Sequence, residues 1–109
     1  MTTETHAACI ASCNACVIAC HQCFAACLQE DDVAMMARCI ARDMDCAAAC
    51  QFAVGMMARG SAHAKSACSL CAAICDACAS ECAKHRAEHC LACADACRAC
   101  AALCRDMAH

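Results

Sequence analysis

The stretch Cys9–Cys27, CIASCNACVIACHQCFAAC, decides the fold. Its cysteines stand at positions 9, 13, 16, 20, 23 and 27, separated by four, three, four, three and four residues. Apolar residues in that order fall on one stripe of an α-helix and meet other helices along an a/d seam. Most helices fill such a stripe with leucine. Here it is filled with sulfur.

Working outward, the same pattern returns. Cys68, Cys71, Cys75, Cys78 and Cys82 mark a third helix, and Cys90, Cys93, Cys97, Cys100 and Cys104 a fourth, each with gaps of three, four, three and four. Between the first helix and the third, the register runs Met36, Cys39, Asp43, Cys46, Cys50, Ala53, Met57. The spacing therefore predicts helices over about 4–28, 33–59, 62–84 and 88–106. Thr2, Thr3 or Thr5 would cap the first, with Glu4 in its opening turn, and Asp31 or Asp32 the second. Gly55 costs the second helix stability without having to break it, Gly60 stops it, and Ser61 would cap the third.

The eight-residue gap from Cys82 to Cys90 breaks the heptad. A continuous helix would swing the stripe ~80° off its partner there. That places a turn within Lys84-His85-Arg86-Ala87-Glu88, although no Gly or Pro marks it; the rival is one long helix. Three short connections between four helices give an antiparallel, all-α, up-down-up-down four-helix bundle, one domain over 1–109. The two halves echo each other as helical hairpins.

Composition agrees. The chain has no Pro, two Gly, no Trp or Tyr and many Ala, which favours helix over sheet. The net charge of −3 and eight scattered Lys and Arg leave no basic stripe, so nucleic acid is not an expected partner. The first residues carry neither a basic region nor a cleavage site, so no secretory signal is read there. Asn14, His21 and Gln22 interrupt the apolar run, so no clean membrane span is expected. A reducing, cytoplasmic setting follows, where dense cysteine leans toward metal.

Nineteen cysteines in 109 residues would ordinarily suggest a disulfide scaffold. Three observations oppose that. The count is odd, turn-forming residues are few, and helical spacing on one face rarely gives disulfide geometry.

Residues three or four apart on a helix share a face. Cys9/Cys13, Cys16/Cys20, Cys23/Cys27, Cys46/Cys50, Cys71/Cys75, Cys78/Cys82, Cys93/Cys97 and Cys100/Cys104 can each present two sulfurs to one ion. Thiolates select Cu(I), Zn(II) or iron–sulfur clusters. Zinc wants four ligands, usually from pairs on loops or knuckles. Cu(I) accepts two or three. A thiolate shared between two Cu(I) ions brings a filled core close to neutrality, whereas each four-thiolate zinc site stays doubly negative. Iron–sulfur clusters use compact runs or converging loops, and a seam along four helices leaves them little room. Uncharged thiols pack as small hydrophobes, so the helices are expected to form before metal arrives.

Repeated Cys-x-x-x-Cys and Cys-x-x-Cys along four Ala-rich helices, over nearly the whole chain, resembles the copper storage proteins, and above all their cytosolic branch, which lacks an export signal. The resemblance implies a bundle whose lumen is lined by cysteine and filled with many Cu(I) ions, commonly a homotetramer, with a mouth of Met and His near the helix 1/2 turn. The second helix departs from the pattern, carrying only Cys39, Cys46 and Cys50, with Asp43 on the stripe where another Cys would stand.

The topology gathers Met35, Met36, His85 and His89 at one end and His6, Met57, His63, Met107 and His109 at the other. Either set could admit metal; the resemblance favours the first. Against this, a Met on the stripe serves equally as core filler, and a His near a helix end as a solvated side chain. His21 lies off the stripe, as surface or oligomer contact. Asp43 is a ligand, a proton acceptor for thiols, or a hydrogen-bonded core residue.

The leading expectation is a cytosolic protein that binds, stores and sequesters Cu(I), with detoxification as a consequence. Copper would be released later to a chaperone or copper enzyme. A zinc or mixed-metal thiolate buffer is the alternative, and an iron–sulfur or thiol redox protein the second. No activated nucleophile with an orienting base is apparent, so an enzyme is not expected.

Overall fold

Alanine is the strongest helix former and cysteine packs as a small apolar residue, so runs of the two make helices that must bury a sulfur stripe. The computed structural model describes residues 3–109, with side chains from His6 onward. It contains four helices: α1 Thr3–Cys27, α2 Ala37–Ala58, α3 Ala64–Cys82 and α4 Glu88–Ala108. Among the described residues there is no strand. The molecule is an antiparallel four-helix bundle, 45 × 17 × 17 Å, in which α1 and α3 each pack on α2 and α4.

The helix ends differ in detail from expectation. The capping roles read for Thr2, Thr3, Glu4 and Thr5 lie outside the described side chains. The second helical segment opens with one 3-10 turn, Val33–Met36, before α2 proper. Asp32 caps that turn, its Oδ1 accepting from the Met35 N–H at 3.2 Å. α2 passes through Gly55 unbroken.

Its end is a Schellman closure. Gly60 takes φ +63°, the Ser61 N–H bonds the Met56 carbonyl at 2.9 Å, and the Gly60 N–H bonds the Met57 carbonyl at 3.1 Å. Ser61 serves the turn rather than capping α3 directly. Its Oγ accepts from the His63 N–H at 3.0 Å, and α3 starts at Ala64 without a side-chain cap. The break in the cysteine heptad is a turn over residues 83–87, between the end of α3 at Cys82 and the start of α4 at Glu88. Glu88 in the first turn of α4 and Arg105 in its last complement the helix dipole. Arg105 also pairs with Asp76, joining α4 to α3.

Small side chains decide how closely the helices approach. Ala47, Ala49, Ala53, Ala67, Ala72, Ala79, Ala94 and Ala101 are buried beside the cysteines. Side chains this small let neighbouring helices approach closely. The lumen is therefore narrow. Its ends are filled by larger thioethers, Met36 at one and Met57 and Met107 at the other, each 2% exposed.

One feature of α1 departs from the sequence reading. His6–Cys27 is, by length and a mean hydropathy of 1.5, apolar enough to cross a membrane. Cysteine supplies much of that hydropathy, and every cysteine of α1 is fully buried against the other helices. A core helix passes the same test.

Gly60 is the one residue among those described with a positive φ. Replacing it by Ala should cost about 1 kcal/mol, the penalty of a Cβ in the left-handed region. Urea unfolding of reduced apo-protein measures it. An unchanged midpoint would show that the turn relaxes freely.

Candidate metal centre

The a/d spacing sends every thiol inward. All 19 cysteines are fully buried, and none forms a disulfide. Their sulfurs make one continuous network along the bundle axis.

Contacts within a helix have the spacing expected of same-face pairs. Cys71/Cys75 stand 3.8 Å apart, and Cys23/Cys27, Cys78/Cys82, Cys93/Cys97 and Cys100/Cys104 stand 3.9 Å apart. Contacts between helices are as short or shorter. Cys39 of α2 lies 3.2 Å from Cys82 of α3, and Cys46 of α2 lies 3.4 Å from Cys75 of α3. Cys13 of α1 lies 3.5 Å from Cys100 of α4, and Cys16 of α1 lies 3.6 Å from both Cys46 and Cys97. At the far end Cys9 lies 3.6 Å from Cys104, and the Cys68 thiol is raised by burial first and then by charge at Cys13 and Cys71.

Sets of four thiols converge to within 4.8 Å of one another. Among them are Cys13, Cys71, Cys100, Cys104; Cys16, Cys46, Cys50, Cys75; Cys16, Cys20, Cys46, Cys97; Cys20, Cys78, Cys93, Cys97; and Cys23, Cys27, Cys39, Cys90. Neighbouring sets share members: Cys16 and Cys46 belong to two, as do Cys20 and Cys97. With metal–sulfur bonds of ~2.3 Å, trigonal and tetrahedral sites have sulfur–sulfur edges of ~4.0 and ~3.8 Å, and a linear site one of ~4.6 Å. The network thus has the edge length of trigonal or tetrahedral coordination. Shared sulfurs let adjacent ions be bridged by one thiolate.

Burial sets the proton inventory. It pushes the Cys27 thiol up to about 11 and raises that of Cys90. Without a cation these thiols stay protonated and uncharged at neutral pH. Each thiolate formed on metal binding releases a proton, and the incoming cation takes that proton's place as counter-charge.

The two ends of the lumen are unlike. His89, at the start of α4, directs Nδ1 at three thiols: Cys90 at 3.5 Å, Cys23 at 3.6 Å and Cys27 at 3.9 Å. Its Nε2–H donates to Glu30 Oε1 at 2.9 Å, which fixes the ring and leaves the Nδ1 lone pair facing sulfur. His85 does not reach the thiols; its Nε2 bonds Glu81 Oε2 at 3.2 Å, and Glu81 also pairs with Lys84 at 3.4 Å. Met35 is 65% exposed, while Met36 is buried. A cleft of about 530 Å³ lined by Glu30, Met35, Met36, Glu81 and His85 opens here. At the opposite end the buried Met57 and Met107 close the lumen, and His63 and His109 are exposed.

Asp43 stands fully buried among the sulfurs. Its Oδ1 accepts from the thiols of Cys93 at 3.2 Å, Cys78 at 3.4 Å and Cys82 at 3.6 Å, while Oδ2 has no partner. Burial above all pushes its carboxyl from the ordinary 3.8 up to about 8.

This geometry meets known proteins closely. The profile of the copper storage protein family matches residues 2–109. The chain belongs to the copper storage protein family. Among solved structures, Cu(I)-bound copper storage protein BsCsp3 is 46% identical, with 96% of this chain and 99% of that one covered and a TM-score of 0.92. Apo copper storage protein 3 from Bacillus subtilis is 47% identical, over 94% and 97% of the two chains, at a TM-score of 0.90. A cytosolic copper storage protein from Streptomyces lividans, carrying five coppers, is 39% identical over 96% and 92%, at a TM-score of 0.93. No curated protein sequence matches the chain significantly.

Sequence reasoning missed Glu30 and Glu81, the carboxylates that orient the two mouth histidines. Glu81 was within reach, because it precedes His85 by one helical turn. Glu30 and His89 are 59 residues apart and meet only through the tertiary fold.

The native state keeps a proton on Asp43 that the unfolded chain loses between about pH 4 and pH 8. Reduced apo-protein should therefore lose about 1 kcal/mol of stability per pH unit across the middle of that window. The titratable groups that face Asp43 are thiols, Cys20 and Cys23 of α1, Cys39 of its own helix, Cys78 and Cys82 of α3 and Cys93 of α4, together with His21 of α1 across the small cleft between α1 and α2. Denaturant midpoints from pH 5 to 7.5, for wild type against Asp43→Asn, isolate the effect. Equal slopes would show that Asp43 is ionised in the folded protein.

Proposed function

We propose that this protein binds, stores and sequesters many Cu(I) ions in its thiol-lined lumen, in the cytoplasm, and so limits copper toxicity. The observation that carries the reading is the sharing of sulfurs between neighbouring four-thiol sets, which admits a chain of monovalent ions bridged by single thiolates. Family membership supports it, as do relatives described as Cu(I)-bound, cytosolic and copper-loaded.

The ligands are Cys9, Cys13, Cys16, Cys20, Cys23, Cys27, Cys39, Cys46, Cys50, Cys68, Cys71, Cys75, Cys78, Cys82, Cys90, Cys93, Cys97, Cys100 and Cys104. Copper is cargo, not a catalytic cofactor, and the protein is not an enzyme. An ion arrives at the Met35, His85 and Glu81 cleft and is taken up by His89 Nδ1. It exchanges onto Cys23, Cys27 and Cys90, then moves inward from one thiol set to the next. Each transfer forms a copper–sulfur bond as a thiol gives up its proton, and breaks one behind it, whose thiolate takes up a proton or stays bonded to a second ion. Asp43 lies one layer inside, as a thiol-bonded auxiliary group. Copper leaves by the reverse path to a chaperone or copper enzyme.

The four-thiol sets also suit tetrahedral zinc, the metal-buffer alternative. Charge separates the two. Sharing 19 thiolates with about as many Cu(I) ions leaves a nearly neutral core, while zinc at four thiolates leaves buried negative charge.

Anaerobic titration of reduced apo-protein with Cu(I), against a chromogenic chelator and with zinc as competitor, is the test. Nineteen thiols in unshared pairs saturate at about nine ions, so retention of more than about ten requires bridging. The same titration should show slower uptake with unchanged capacity in His85→Ala/His89→Ala. Saturation at one or two ions, or loss of copper to zinc, overturns storage.

We also propose a homotetramer, supported by large apolar side chains left exposed, among them Phe52 at 49% and Leu70 at 54%. Sedimentation velocity at micromolar concentration should give one species of four chains. A persistent monomer overturns this.

A further inference from the structure

Away from the mouth, the wall of the bundle is indented at a second place. A cleft of about 90 Å³ lies between α1 and α2, lined by Cys20, His21 and Phe24 of one helix and Asp43 and Met44 of the other. That is room for a few waters or one partly hydrated ion. Its outer rim is polarisable and accessible: His21 is exposed, and Met44 is 59% exposed. Its floor is the fully buried Cys20 and Asp43.

Three observations give this cleft a direction. Imidazole and thioether are neutral ligands that hold Cu(I) more weakly than thiolate, so a rim of His21 and Met44 would receive an ion without trapping it. Asp43, on the floor, has a buried carboxyl oxygen, Oδ2, with no hydrogen-bond partner, while Oδ1 is occupied by thiols of α3 and α4. A buried polar oxygen without a partner is rare and costly, and it makes this the one polar spot beneath the wall between α1 and α2. Finally, Cys20 belongs to two of the four-thiol sets, one with Cys16, Cys46 and Cys97, the other with Cys78, Cys93 and Cys97. An ion delivered to Cys20 thus reaches the middle of the sulfur network.

We infer that His21 and Met44 form a side port through which Cu(I) reaches Cys20 directly, without passing the His89 mouth. The inference rests on the storage reading above and adds a route to it. Cys20 is seven residues along α1 from Cys27, so the port meets the lumen roughly 10 Å inward from the mouth. In the step itself, Cu(I) leaves the Met44 Sδ and the His21 imidazole and bonds Cys20 Sγ. The Cys20 S–H bond breaks, and its proton departs to bulk water through the same opening. The port explains why a Met on the outer face of α2 and a His on the outer face of α1 stand over the single level where the stripe carries a carboxylate.

The test is the rate of Cu(I) transfer from a chromogenic chelator to reduced apo-protein, by anaerobic stopped flow. Met44→Leu/His21→Gln removes both rim ligands and keeps their size. It is compared in the wild-type chain and in the His85→Ala/His89→Ala chain, where the mouth is impaired. The port predicts that the rim variant slows uptake roughly threefold or more in the mouth-impaired chain, with the final number of ions unchanged. The Met44 methyl resonance, identified by its loss in Met44→Leu, should also shift with the first equivalent of Cu(I). The buried Met107 methyl at the far end is the control. Equal rates with and without the rim ligands in both chains, or a Met44 methyl that does not move, overturns the port. A wild-type plateau at one or two ions overturns storage itself, whatever the variants do.

Discussion

Everything in this molecule depends on bringing uncharged thiols into van der Waals contact in a space too narrow for anything else. The buried alanines of α2, α3 and α4 set that width. With larger flanking residues the helices would stand apart, and sulfurs now 3.2–4.0 Å from one another would no longer share an ion. With leucine on the stripe the lumen would fill with hydrocarbon. Cysteine is small enough for the helices to close around it, and apolar enough as a thiol to make a dry core.

The same constraint governs charge. A core of fully buried thiols cannot ionise by itself, because each thiolate would be desolvated beside others of its kind. Ionisation therefore accompanies binding, one proton leaving as one cation arrives. A monovalent cation that accepts shared sulfur leaves the interior close to neutral at every stage of filling. A divalent ion with four unshared ligands does not. Selectivity then comes from sharing and from valence as much as from the softness of sulfur.

Most of the fold was legible in the sequence because cysteine does double duty as marker and core. The four-three alternation gave the helical face, and the eight-residue gap between Cys82 and Cys90 gave the turn at 83–87 without any Gly or Pro. The limits lay at the ends. The 3-10 turn at Val33–Met36 and the late start of α3 depend on local hydrogen bonds of Asp32 and Ser61 that periodicity does not register. In the site, the inward set of thiols was readable, but which sulfurs meet was not. The shortest approach, Cys39 to Cys82, joins two helices and is fixed by their stagger. His89 shows the same limit more sharply. It sits off the stripe, next to Cys90, and its turn toward sulfur depends on Glu30, which lies across the bundle mouth.

The asymmetry of the bundle follows from these ends. Met57 and Met107 seal one end with thioethers that are 2% exposed. The other has a hydrogen-bonded imidazole at the first thiol set, with carboxylates behind both histidines. A narrow end mouth has a cost: once Cys23, Cys27 and Cys90 hold copper, later ions entering there can advance only if earlier ones move on. Shared sulfurs ease that movement, since an ion bridged by one thiolate can shift toward the next set without ever being free. The break in the stripe at Asp43 then has a physical meaning. A carboxylate at that level binds Cu(I) poorly, so it interrupts the thiol ladder while keeping three neighbouring thiols hydrogen-bonded in place. At that level the sulfurs that still converge are those of Cys20, Cys78, Cys93 and Cys97, brought together by the stagger of α1, α3 and α4.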